Sequence, residues 1–149
     1  MKVTTSVVIN KAPEVIWPML CNSRMADDKP ILFRFGVPKP VQCKLKTGIG
    51  GVGSDRQCVS SLGTINQKIT RWEPNRLLEF EMKDTDMYFG KFIISIKDRF
   101  ELADLETQRT RLTRTTNFEV SGLFGLLKSL PIWFGLKRVH KYVFENWAR

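Results

Sequence analysis

At 149 residues, with 42% hydrophobic and 26% charged side chains, the chain has the size and composition of one globular domain with a real core. Its formal charge is +9, from 24 Lys and Arg against 15 Asp and Glu, so attraction to nucleic acid or to an anionic membrane has to be weighed. The basic residues are scattered, no Lys/Arg run of five occurs, and no recognition-helix or aromatic-sheet motif accompanies them, so a nucleic-acid partner is not expected.

Lys2 to Ile9 alternates apolar and polar residues and reads as a strand. The opening MKVTTSVVIN lacks the apolar stretch and the cleavage site of a secretory leader, which points to the cytoplasm. Asn10 and Pro13 mark the start of a helix over 12–20, with Asn10 as its cap, and a second short helix is expected to follow. Arg24 to Pro40 is rich in Asp, Pro and Gly and reads as an irregular, partly apolar loop lying over a cavity mouth.

From Val41 the pattern changes to period two, giving strands over 41–46, 53–61, 64–72, 77–83, 91–103 and 109–120. The connectors agree: TGIGG is a flexible glycine-rich turn, Leu62-Gly63 a two-residue turn, EPNR a proline turn, and ADLETQ closes the last hairpin. The first strand brings the total to seven. After Gly122 the period becomes helical, and Ile132, Leu136, Val139, Val143 and Trp147 form one apolar stripe that should lie on the sheet. Leu123, Leu127, Leu130 and Phe134 form a second stripe, and Pro131 is expected to kink or divide the helix. The apolar region 123–136 is shorter than the roughly 20 residues of a bilayer span and is broken by Lys128 and Pro131. A sheet this long buries its concave face on a single helix only by curling around it, and the imperfect fit leaves a cavity.

Cys21, Cys43 and Cys58 are an odd number at wide spacings with no C-x-x-C, so reduced thiols are expected, without a disulfide framework or a zinc site. No metal or other cofactor is expected. The glycines of TGIGGVG lack the Lys-Ser/Thr ending of a phosphate loop.

The opening strand followed by INKAPEVIWPML, the central GVGSDRQCVSSLGTINQKITRWEPNRLLEFEM, and RLTRTTNFEV before an apolar helix resemble the SRPBCC superfamily. This START-related, birch-pollen-allergen-like group includes polyketide cyclases, lipid carriers and hormone receptors. The resemblance covers nearly the whole chain and implies an α+β helix-grip fold: a seven-stranded curved antiparallel sheet wrapped around a long C-terminal helix, with two short helices after strand 1. No catalytic motif is shared across the superfamily, so the resemblance implies a fold and a pocket rather than a reaction.

Hairpin register identifies the residues that face the pocket. A Leu62-Gly63 turn pairs Arg56 with Ile69, Cys58 with Gln67 and Ser60 with Ile65 on the inner face. In the last hairpin, setting Phe100 opposite Leu112 pairs Ile96 with Thr116, Ile94 with Phe118 and Phe92 with Val120. The same register sets Asp98 opposite Arg114 among apolar neighbours, with Glu101 and Arg111 paired outside. An inward Asp and Arg should pair with each other or meet a ligand or water, and pairing comes first. An inward Arg56 could take a ligand carboxylate bidentately or reach solvent from the strand end. Cys58 reads as a small apolar filler, and His140, the only histidine, as a surface or half-buried residue.

The expected ligand-binding set is therefore Arg56, Cys58, Gln67, Asp98, Phe100, Arg114 and Phe118, joined by Phe33, Phe35, Phe124, Leu127 and Phe134 around an entrance. The leading expectation is binding or transport of a hydrophobic small molecule, such as a lipid, isoprenoid or aromatic metabolite. A cyclase- or dehydratase-like enzyme comes second, with no catalytic residue identified. An interaction module for an acidic partner or anionic membrane, its LFGLL segment dipping into lipid, comes third.

Overall fold

The period-two segments form one antiparallel meander in the computed structural model, which describes residues 1–28, 30–34, 37–123 and 125–149, with positions 32 and 34 as backbone alone. Strand β1 (Lys2–Ile9) is followed by helix α1 (Pro13–Cys21), the two-residue β2 (Ser23–Arg24) and a 3₁₀ turn at Ile31–Arg34. Then come β3 (Pro40–Leu45), β4 (Asp55–Ser60), β5 (Thr64–Glu73), β6 (Leu77–Thr85), a 3₁₀ turn at Tyr88–Lys91, β7 (Ile93–Asp104), β8 (Thr110–Val120) and helix α2 (Gly125–Ala148). The sheet order is β1-β8-β7-β6-β5-β4-β3-β2, so every neighbour pair is sequential except β1 on β8. The eighth strand is β2, whose two residues are too few to show a period but pair with Gln42 and Cys43.

Helix α1 begins at Pro13, with Ala12 rather than Asn10 as its cap and no side-chain capping bond. Proline at the first helical position is preorganised and forfeits no needed N–H, so a polar cap is dispensable. Ile16 and Leu20 are fully buried and anchor α1 to the sheet, each apolar side chain worth about 1.5–3 kcal/mol. Trp17 meets Trp72 edge-on with centroids 5.1 Å apart. Trp72 also explains Gly50: a Cβ there would fall 2.0 Å from the indole, so this part of TGIGGVG is a close contact rather than a free turn.

Two hairpins sit two residues away from the expected register. Arg56 pairs with Gln67 and Cys58 with Ile65, because Ser60 and Gly63 close the turn and Ser61-Leu62 are its centre. Gly63 is needed beside the turn, where a Cβ would meet Asp86 at 2.3 Å and Met87 at 2.7 Å. In the last hairpin Asp98 pairs with Thr116, Phe100 with Arg114 and Leu102 with Leu112. A shift of two leaves every side chain on its face, so Arg56, Gln67, Asp98 and Phe100 still point inward. A bulge between Ile93 and Ser95 does change face: Ile93 is buried and Ile94 is 63% exposed, so Ile94 and Phe118 do not pair as expected. On the outer side Glu101 pairs with Arg99 rather than Arg111.

Cys43 and Cys58 stand directly opposite on β3 and β4 and are joined by a disulfide, with S–S 2.11 Å and Cα–Cα 4.1 Å. This corrects the expectation of three reduced thiols: strand pairing, not sequence spacing, brings the two sulfurs together. Closing that loop across a sequence separation of 15 is worth about 3 kcal/mol on the chain-entropy account. Cys21 remains a free, buried thiol.

Helix α2 runs from Gly125 to Ala148 with Pro131 inside it, so the helix is not divided there. Proline forfeits one backbone hydrogen bond, while the C-terminal half is held by Val143, Phe144 and Trp147 in the main core. Among the described residues no helix is long and apolar enough to cross a membrane.

Candidate functional site

A cavity of about 380 Å³ separates the concave face of the sheet from α2, within the roughly 300–1,000 Å³ range of small-molecule sites. Its sheet wall carries Phe80, Met82, Ile96 and Phe100, and its helix wall carries the stripe Ile132, Leu136, Val139, Val143 and Trp147. Tyr88, Phe89 and Phe92 border it from the β6–β7 turn, and Val37, Pro38 and Pro40 from the chain entering β3. Polar side chains interrupt this apolar lining on the sheet side, chiefly Arg56, Gln67, Asp98 and Arg114.

Arg56 is 3% exposed. Its Nη1 donates to Gln67 Oε1 at 2.7 Å and to Cys58 Sγ at 2.9 Å, and its Nη2 to the Leu20 carbonyl at 3.0 Å. That carbonyl lies in the last turn of α1, where a cation is favoured by the helix dipole. The guanidinium also lies 4.4 Å above the Phe80 ring. Burial brings its pKa down to about 10, Asp98 raising it and Arg114 lowering it, so it is cationic at neutral pH.

Asp98 and Arg114 form the expected internal pair. Arg114 Nε donates to Asp98 Oδ1 at 3.0 Å and Nη2 to Oδ2 at 3.2 Å, a bidentate arrangement, with the guanidinium 5.1 Å over Phe100. The Thr116 hydroxyl also donates to Asp98 Oδ1. Burial alone would raise the Asp98 pKa, but the Arg114 charge and the hydrogen bonds from Arg114 and Thr116 hold it below the usual carboxylate value.

Behind this pair is a group the sequence did not expose. His140 is fully buried, which corrects its reading as a surface or half-buried residue. Its Nε2 lies 2.8 Å from Thr116 Oγ1 and its Nδ1 2.8 Å from Thr5 Oγ1. Because Thr116 spends its proton on Asp98, its oxygen must accept from His140, which assigns the proton to Nε2 and makes Nδ1 the acceptor of Thr5. Burial, reinforced by Arg114 and opposed by Asp98, lowers the His140 pKa to about 3, so this neutral tautomer holds across ordinary pH. A chain Thr5 to His140 to Thr116 to Asp98 to Arg114 thus ties β1, α2, β8 and β7 together, and His140 itself does not border the cavity. Among the described residues no cluster of three or more His, Cys, Asp or Glu is grouped to hold a metal.

No family model and no curated protein matches the sequence. Solved structures do. A structural-genomics protein of Mesorhizobium loti aligns with TM-score 0.68 at 19% identity, covering 99% of this chain and 94% of its own. Ginseng major latex-like protein 151 from Panax ginseng aligns with TM-score 0.68 at 13% identity over 98% and 93%. The ZhuI aromatase/cyclase of Streptomyces sp. R1128 gives 0.60 at 12% identity over 98% and 93%. The likeness shows the helix-grip fold, a curled antiparallel sheet closed by a long C-terminal helix.

Within the helix grip, Arg56, Cys58, Gln67, Asp98, Phe100 and Arg114 are brought together on the cavity wall. Other expected residues are elsewhere. Phe118 is buried but does not border the cavity, and Phe33 packs edge-on against Tyr142 at 5.0 Å, on the core side of the loop. Leu127 and Phe134 are 64% and 60% exposed. Phe134 lies two residues after Ile132, about 200° around the helix, so it points away from the sheet once Ile132 faces it. Phe35 and Phe124 lie outside the described residues. The helix stripe, Phe80, Met82 and Ile96 also line the cavity without having been named as site residues. Strand parity and the helical period carried that signal, since all occupy the inner face.

Proposed function

We propose that this domain binds or carries a hydrophobic small molecule, such as a lipid, isoprenoid or aromatic metabolite, inside the cavity. The observation that supports this most is a 380 Å³ space walled by apolar side chains of both the sheet and α2, with the polar groups gathered on one wall. Such a lining gains from desolvating an apolar body, while a few placed polar groups orient its end. Arg56, Gln67, Asp98 and Arg114 are the orienting groups, and Phe80, Phe100 and the α2 stripe hold the body. Among the described residues, Asp98, Arg114 and Tyr88 are the titratable side chains that border the space beside Arg56 and that a cyclase-like reaction could use. Asp98 is already engaged by Arg114 and Thr116, which favours orientation over proton transfer. The reading places the protein in the cytoplasm, where the Cys43–Cys58 bond would face a reducing pool. Titration with Nile red, a neutral apolar dye, tests it: one saturable equivalent is expected, and its absence counts against the reading.

A second reading rests on the outer face of α2. Leu126, Leu127, Leu130 and Phe134 on α2 are 72%, 64%, 46% and 60% exposed, Leu123 in the turn before it is 85% exposed, and the chain carries +9 charges. An apolar stripe on a cationic protein suits peripheral contact with an anionic membrane. It expects co-sedimentation with phosphatidylserine-containing vesicles that weakens with added salt; equal binding to neutral vesicles, or none, removes it.

A further inference from the structure

The charges around the cavity do not balance. Among the described residues bordering it, the charged side chains are two guanidiniums, Arg56 and Arg114, and one carboxylate, Asp98. Asp98 is fully engaged with Arg114 and Thr116, and among the described residues no carboxylate forms an ion pair with Arg56. The nearby groups that could titrate do not offset the excess. Burial pushes the Cys21 thiol up to about 11, and His140 is neutral. The Leu20 carbonyl offers a helix-end partial charge, which compensates Arg56 only in part.

Hydrogen bonding is unbalanced in the same sense. Arg56 Nε is buried without an acceptor. Gln67 turns its carbonyl oxygen to Arg56, and among the described residues its amide nitrogen has no acceptor. Surplus positive charge and surplus donors, side by side on an otherwise apolar wall, call for a ligand group that is anionic and only accepts.

We infer that the cavity takes a monoanionic amphiphile, an apolar body ending in one carboxylate, with that carboxylate seated against Arg56 and Gln67. The inference rests on the small-molecule reading above and narrows it to a chemical class. A neutral guest of equal length leaves Arg56 uncompensated in a low-dielectric site, whereas a carboxylate accepts charge-assisted hydrogen bonds there.

Displacement of Nile red by sodium dodecanoate and by 1-dodecanol at pH 7.5 separates the two ideas. The wild-type protein is expected to bind dodecanoate about tenfold or more tightly than dodecanol, the advantage of one or two charge-assisted bonds. Because the Arg56 charge is buried, the preference should persist in 0.5 M NaCl, at roughly a third of the Debye length of 0.05 M salt. Arg56→Met should erase it, read as the ratio of the dodecanoate and dodecanol dissociation constants within that variant falling to about one. Should Arg56→Met fold poorly, Gln67→Glu keeps the Arg56 side chain, sets a carboxylate against its Nη1, and should cut the preference by about tenfold or more. Equal affinity for acid and alcohol, a preference that vanishes at high salt, or a preference that survives both substitutions overturns the inference while leaving the carrier reading intact. Failure of dodecanol and Nile red to bind at all defeats the carrier reading itself.

Discussion

Asp98→Asn lowers folding stability by about 3–5 kcal/mol, the usual consequence of removing one partner from a buried ion pair. Arg114 then stands almost enclosed, its side chain 12% exposed, with no anion, beside Arg56 at 3%. The loss comes less from the bond itself than from the uncompensated charge left behind. Urea denaturation at pH 7 measures it, and the double variant Asp98→Leu/Arg114→Met separates the two contributions. Removing both charges should recover a large part of the loss, because an apolar pair of similar volume is no worse than a buried ion pair. If Asp98→Asn unfolds with the midpoint and slope of the wild type, the pair contributes nothing and the electrostatic picture of the wall is wrong.

The second large effect is an acid-side loss of stability with His140 as its source. Its pKa is about 3 in the folded protein against 6.5 when unperturbed. As pH falls below about 6.5 the unfolded chain takes a proton that the native protein refuses, so stability declines from there towards pH 3, by up to about 1.4 kcal/mol per unit. Between pH 7 and pH 4 this amounts to about 3 kcal/mol. Asp98 acts in a lower window: its depressed pKa stabilises the fold above the unfolded carboxylate value and is lost only as pH falls through the folded value. The windows can therefore be told apart. His140→Gln, whose amide can donate to Thr116 and accept from Thr5, should flatten the slope between pH 4 and 6.5 in denaturation measurements. A slope unchanged by the substitution would assign the acid sensitivity to other groups.

The inward face of the sheet was legible from parity because a two-residue error in register leaves parity intact. Arg56, Gln67, Asp98 and Phe100 reached the cavity wall even though both hairpins sat two residues from the expected pairing. The same reasoning failed at Ile94, where one bulge residue inverts the face, since nothing in a run of alternating residues marks where a ladder skips. The Cys43–Cys58 bond and the Thr5–His140–Thr116 chain depend on elements meeting across 15 to 135 positions, strand on strand in the first and helix α2 on the sheet in the second, and local spacing carries no such information. Leu127 and Phe134 were recoverable. Once Ile132, Val139 and Trp147 are set against the sheet, the helical period turns Phe134 to the outside.

The central claim is that the space between sheet and helix is a guest's place. Nile red titrated into the wild-type protein and into Val139→Trp, whose indole would occupy the cavity from the α2 side, tests this most directly. Saturable binding of one equivalent to the wild type, weakened about tenfold or more in the filled variant, is the result expected. Dye that fails to saturate the wild type, or that binds both proteins alike, would contradict it.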